Sequence, residues 1–326
     1  MSLVISMNIE MINKVPTYNA NIGSEFDDAS VMLKKKNTDY TFRYISFLAL
    51  GAVFADTTGL IDPRISITLA VIFTILSIRF YSMLKKRGYA EQWTLTRIAA
   101  ESFKSEWFKF AVGGGDYPLK DNVKIEDSIN EFKKNLQRFH DEYIESMHGN
   151  FKSYLNQVAI EVDEGTLDIR KRDLGGRIDF YKNERMKNQM TWYQSKSREM
   201  KNKYEKHVRF FRGALFFGFL FGATMMLNSW EIISIGFLSE NDFFSIAIAI
   251  GFALDGINSA NQYERLASAY EKSFRELKDA IRELEDDKND IKTDEAVFWD
   301  FVEDVENNIS SEHKSWSLTT SSKNIH

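Results

Sequence analysis

The sequence predicts an all-α membrane protein in which four transmembrane helices form two helical hairpins and extend into a cytoplasmic helical bundle. Three observations carry that reading. Four apolar segments (44–61, 65–84, 213–230 and 243–257) stand almost without charge, whereas 85–210 and 261–313 are crowded with it. Only Pro16, Pro63 and Pro118 occur in 326 residues, which favours long helices, because proline removes a hydrogen bond from a helix interior and clashes there. Finally, Lys and Arg gather at one end of each apolar pair.

Taken in order, residues 1–41 read as a cytoplasmic N-terminal segment. Leu3, Val4 and Ile5 are followed at once by polar and acidic residues, so no signal-peptide core is expected there. The first transmembrane hairpin spans 42–84 and the second 209–257, each from two apolar segments joined by a short connection. A spanning helix needs roughly 20 apolar residues, with about 17 as a lower limit. Only the third segment, from Gly213 to Trp230, is entirely free of charge. Core helices of a soluble protein are the competing reading for the shorter runs. Against it stands the distribution of base. The connections hold Arg64 alone, while the opposite ends carry Lys34–Lys36 and Arg43, Lys85–Arg87, and Lys201 to Arg212. Such residues are retained on the cytoplasmic side, so both hairpins point the same way, with both termini cytoplasmic.

Small residues recur four apart in three segments: Gly51 with Ala55, Gly218 with Gly222, and Ala247 with Gly251. In lipid such pairs let helix backbones approach closely, so these glycines are candidate span-packing positions. Four charges interrupt the spans: Asp56, Arg79, Arg212 and Asp255. Each costs about 2.5–3.5 kcal/mol at a bilayer centre. They are candidate pore or gate residues; the plainer account is that Arg79 and Arg212 snorkel to the cytoplasmic end while Arg212 pairs with Asp255.

Residues 85–208 read as a cytoplasmic helical domain, with one amphipathic helix over Val123–His148 and a second charged stretch over Tyr181–Arg209. Residues 258–312 form C-terminal cytoplasmic helices, one at about 292–312, and the Ser/Thr-rich tail 313–326 reads as disordered. Aligning Trp93 with Tyr263 superposes Ala99 on Ala269, Glu101 on Glu271, and Glu106 on Glu276, which suggests a duplicated unit.

Composition excludes several functions. The chain has no cysteine and five scattered histidines, so disulfides and thiolate metal sites are ruled out and histidine ligation is not expected. Walker, nucleophile-elbow and zinc-protease motifs are absent, so no catalytic residue, metal or cofactor is predicted. The net charge of -5 is mild, so nothing global argues for a nucleic-acid binder and no direct nucleic-acid contact is expected. Acidic pairs such as Asp27-Asp28 and Asp286-Asp287 read as solvated surface, and Lys34–Lys36 as an anchor to anionic lipid.

Two further patterns flank the hairpins. One is Trp93, Arg97, Glu101, Lys104, Glu106 and Trp107, followed by Gly113–Pro118; the other is Arg185, Gln189, Trp192, Tyr193 and Lys196. On these residues the sequence resembles the SLATT family, the two-transmembrane effector domains associated with SMODS nucleotidyltransferases and SLOG sensors, here in tandem over about 40–280. The first hairpin lacks a clear copy of the Gln-Trp-Tyr lead-in. The resemblance implies a bacterial inner-membrane effector of antiviral defence, homo-oligomeric and pore-forming or depolarising, triggered by a partner nucleotide-signalling or other sensor protein. The residues themselves point to packing: the aromatics sit beyond the interfacial belt, and Arg97 with Glu101 is an i,i+4 pair worth a few tenths of a kcal/mol if exposed. A non-conducting scaffold or sensor in the lipid bilayer is the alternative function.

Overall fold

The computed structural model describes residues 20–56, 61–119, 123–147, 161–230, 232, 243–286 and 289–321. Every regular element among them is helical. Helix α1 runs unbroken over Ala20–Asp56, past the boundary expected at residue 42. Helix α2 (Pro63–Arg87) starts with Pro63 in the first turn, where no N–H is needed, and Asp62 accepts from the Arg64 amide at 2.8 Å. It ends at Gly88 in the left-handed region (φ 57°), and Lys85, Lys86 and Arg87 face the negative end of its dipole.

Helices α3 (Tyr89–Val112), α4 (Ile125–Ser146), α5 (Glu164–Arg170) and α6 (Leu174–Phe180) follow. Asp163 and Asp173 cap α5 and α6 by accepting from the Thr166 and Gly176 amides. A π-helical turn, Tyr181–Lys187, leads directly into α7 (Asn188–Ser229). After α8 (Phe243–Asn261), Gln262 breaks the chain at φ 51°, and α9 (Tyr263–Glu285) begins. A short 3₁₀ turn (Asp290–Lys292) precedes α10, which runs over Glu295–Ser321. Helix therefore continues past His313, where disorder was expected; once a helix is nucleated each added residue gains a hydrogen bond, and Ser/Thr composition is a weak brake. Residues 322–326 of that tail lie outside the described residues.

The chain divides into two compact units. The first comprises 1–33, 90–195 and 269–326. Its centre is α3, which is buried on several sides: Phe103 stacks on Phe26 of α1 (5.3 Å between centroids) and Phe110 on Phe132 of α4 (4.4 Å). Trp107 meets Phe180 of α6 and donates to Thr166 of α5 at 3.1 Å. Helix α9 instead buries one stripe, Tyr270, Ser273, Leu277, Ile281 and Leu284, at helical spacing.

The second unit comprises 34–89 and 196–268 and holds the hairpins. The first hairpin is closed by rings: Phe47 stacks on Phe73 and Phe80, and Phe54 on Phe73. Ser77 donates to the Tyr44 carbonyl at 2.8 Å, and Ser66 to that of Phe54. A Cβ placed on Gly256 of α8 would lie 3.7 Å from Ile45 of α1, so the two hairpins touch toward their base-rich ends.

Two helical stretches, Pro63–Val112 and Leu174–Ser229, contain a window long and apolar enough to cross a membrane, and only 6% of each window is buried. Core helices of a soluble protein bury such a window; these leave theirs bare, with Ile67, Ile75 and Ile78 on α2, and Phe216, Phe217 and Phe219 on α7, all more than half exposed. Helix α1 falls short by this measure as far as it is described, because the eighteen residues up to Asp56 include Asp39 and Arg43 as well. Two membrane-competent helices are thus established among the described residues, against the four expected.

Candidate functional site

Within the first unit, the flanking patterns of the sequence converge on a chain of buried ion pairs. Arg185 projects from the π-helical turn and grips Glu306 of α10 through both carboxylate oxygens, Nε to Oε1 at 2.9 Å and Nη2 to Oε2 at 2.8 Å. Its Nη1 also lies 3.6 Å from Oε2 of Glu101 on α3. Glu101 in turn holds Arg97 at 2.9 Å and Lys104 at 3.4 Å, and both cations reach Asp27 of α1, at 2.9 and 3.7 Å. Three cations and three carboxylates alternate, so the cluster is neutral, and Arg185, Glu101 and Glu306 are each 3% exposed or less.

Electrostatics lock these charges in place. Burial, the largest influence, works to lower the Arg185 pKa, but the carboxylates of Glu306 and then Glu101 outweigh it and raise it. Arg97 follows the same pattern, with Glu101 and Asp27 prevailing over burial. Tyr181 donates to Glu306 at 3.0 Å and is pushed up by burial and then by that carboxylate, so it remains protonated.

Aromatic groups roof the chain. The Arg97 guanidinium lies 5.1 Å from the Trp192 ring centre, and Trp192 packs edge-on to Tyr193 and to Tyr270 of α9. Tyr193 is fully buried, Trp107 nearly so, and Trp93, Trp192 and Gln189 are half-buried.

A second set of arginines closes the end of α3. Arg177 donates to the Val112 carbonyl at 2.8 Å and pairs with Glu295, and Arg170 donates to the carbonyls of Phe110 and of Tyr117, the latter at 2.8 Å. Cations here satisfy carbonyls that the helix end leaves without partners, and they complement its dipole. Burial and the neighbouring Arg177 push Arg170 down to about 10. Gly113 and Gly115 adopt φ 77° and 53°, and a Cβ on Gly114 would meet Val302 of α10 at 2.5 Å. Beside them Tyr117 donates to Glu106 at 2.7 Å and accepts from Asn135 at 2.8 Å.

Arg97 and Glu101 do pair at i,i+4, with Glu101 shared among three cations inside the core. One expectation needs correction here, the solvated reading of Asp27. Asp27 is likewise a network member, while Asp28 remains exposed and Asp287 lies outside the described residues. Glu306, Arg170, Arg177 and Glu295 escaped the sequence reading. One signal was present for Glu306: it interrupts the apolar stripe of Phe298, Val302, Val305 and Ile309. What the cluster does is tie α1, α3, the π-helical turn and α10 together; among the described residues no group of His, Asp and Glu is arranged to hold a metal ion.

In the second unit, Gly51 faces α2, where a Cβ would come 2.9 Å from Thr74 Oγ1; Gly218 faces Ala247, and Gly251 faces Ala214 and Phe211. Gly222 is half-buried on α7. Arg79, Arg212 and Asp255 are exposed and Asp56 is half-buried; no ion pair joins Arg212 to Asp255.

Comparison with known families matches this architecture twice. The family model described as SMODS and SLOG-associating 2TM effector domain 3 covers residues 24–174, and that described as SMODS and SLOG-associating 2TM effector domain 1 covers residues 181–316. No curated protein and no solved structure matches the chain.

Proposed function

The chain belongs to the SLATT effector family, carrying two of its domains in tandem, and from that premise we propose that it is an oligomeric membrane effector. In this reading it spans the bacterial inner membrane four times with both termini cytoplasmic. Several copies together open the bilayer to ions when a partner sensor of a defence system engages them. The observation that carries the reading is the bare apolar surface of α2 and α7, which only lipid or another subunit can cover at low cost. Each matching family model is described as 2TM, which supports four spans from the tandem. The base-rich ends of the two hairpins, on the same side of the second unit where Gly256 lies beside Ile45, support a shared cytoplasmic orientation.

An oligomer is required because four spans without a strongly polar stripe enclose no aqueous path alone. Asp56, half-buried, and Arg79, Arg212 and Asp255, exposed on the helices, are the residues to line or gate such a path. The test is dye and ion leakage from liposomes holding the purified chain, with and without its genomic neighbour, alongside membrane potential during overexpression. Leakage or depolarisation is expected. A bilayer-embedded protein that causes neither, with or without that neighbour, is a non-conducting scaffold or sensor instead.

A further inference from the structure

We infer that one end of the second unit is a binding collar for the headgroups of anionic phospholipids; the inference rests on the membrane reading above. Three helices contribute. Lys35 lies on α1, Lys86 and its neighbours close α2, and Lys201, Arg209 and Arg212 line α7; all of those named are exposed.

Packing places these cations at the same end. Tyr40 of α1 lies against Phe80 and Tyr89 (5.7 and 5.3 Å), which levels the approach of α1 with the close of α2. Gly256 lies beside Ile45 and His207 stacks on Tyr263 at 5.4 Å, which brings the Lys201 stretch of α7 to that level, with Arg209 and Arg212 about two and three turns farther along the helix. The charges are not neutralised by protein. Glu199 is held by Lys196 and Lys203, each at 2.7 Å, whereas among the described residues the five named cations have no carboxylate within ion-pair distance.

Position selects lipid over a dissolved anion. The cations are strung along the three helices next to bare apolar side chains and do not converge in a pocket. At the boundary Lys85 lies over Tyr81 and Lys206 over Phe210, with cation-to-ring distances of 5.8 and 5.9 Å. Amphipathic rings and long basic side chains are the pair that settles at headgroup depth. Anionic headgroups would supply the missing negative charge there, around both hairpins at once.

Native mass spectrometry of the full chain in detergent, offered equal phosphatidylglycerol and phosphatidylcholine, tests this. Phosphatidylglycerol should be retained preferentially, with a preference that shrinks as salt rises, since exposed charges are screened. Lys86→Gln with Arg87→Gln, and separately Lys201→Gln with Arg209→Gln, should weaken retention by roughly fivefold for each cation removed. The charge-keeping Lys86→Arg and Lys201→Arg should retain it, which separates loss of charge from misfolding. Equal retention of both lipids, or Gln variants indistinguishable from the parent, overturns the collar. If the chain also partitions into bilayers, only the collar falls and the base serves orientation alone. Recovery of the chain from the aqueous phase without detergent would remove both readings together.

Discussion

Helices α3 and α9 carry matched sequence patterns and bury them in opposite ways. Glu101 and Glu106 of α3 are 2% and 5% exposed, wrapped by neighbours on several sides. Their counterparts on α9 face outward: Glu271 pairs with Arg275 at 3.2 Å and Glu276 with Lys272 at 3.5 Å, on side chains 43% and 45% exposed. The same acid at the same register is therefore a keystone in one helix and a solubilising group in the other. Sequence pattern sets which faces exist, and the number of packed neighbours sets what each face must satisfy.

Matched substitutions sharpen this contrast. Glu101→Gln leaves Arg97, Lys104 and Arg185 short of one buried negative charge, and the expected loss is about 3–5 kcal/mol, the cost of breaking a buried pair from one side. Thermal unfolding of the detergent-solubilised chain measures it, and Glu306→Gln should fall in the same range. Glu106→Gln removes a charged acceptor from Tyr117 and the partner of Lys109, for about 1.5–3 kcal/mol. Gly114→Ala drives a methyl into Val302 and should cost about 1–3 kcal/mol by overpacking, with Val302→Ala restoring part of the loss. On α9, Glu271→Gln and Glu276→Gln should each stay within about 0.5 kcal/mol. A loss on α9 equal to that on α3 would break the comparison.

The smallest effect belongs to Glu199 on α7, part-exposed between these extremes. Burial works to raise its pKa, but hydrogen bonds from Lys196 and Lys203 prevail and bring it down to about 2, from an ordinary 4.5. The folded value lies below the unfolded one, so its contribution is complete above about pH 4.5 and fades as pH falls toward 2. Melting temperatures of the parent and of Glu199→Gln should differ slightly at pH 6 and converge as the medium is acidified through that window.

How much was legible in the sequence follows from distance along the chain. The apolar segments and the basic ends are local patterns, and two of the four segments fall on helices that pass as membrane-competent. Trp107 and Tyr193 were read as packing residues, and both are buried. The ion network was illegible because its partners are far apart: Asp27 lies 70 positions from Arg97, and Glu306 lies 121 from Arg185. No local periodicity links such residues. Charged positions flanked by charged neighbours look solvated until a second segment covers them. Helix ends were misplaced for a related reason: α1 and α10 continue through polar stretches because their packed parts had already nucleated them.

The π-helical turn at Tyr181–Lys187 makes chain length itself a determinant here. Its wider loop of backbone absorbs one residue more than an α-helix would, so Tyr181, Arg185 and Met186 all turn inward. Deleting a single residue from Lys182 to Glu184 would heal the turn into ordinary helix and swing everything before it by about 100° relative to Arg185. Arg177 and Arg185 could not then both reach their carboxylates. A shortened chain of nearly unchanged composition would lose more than most substitutions take away.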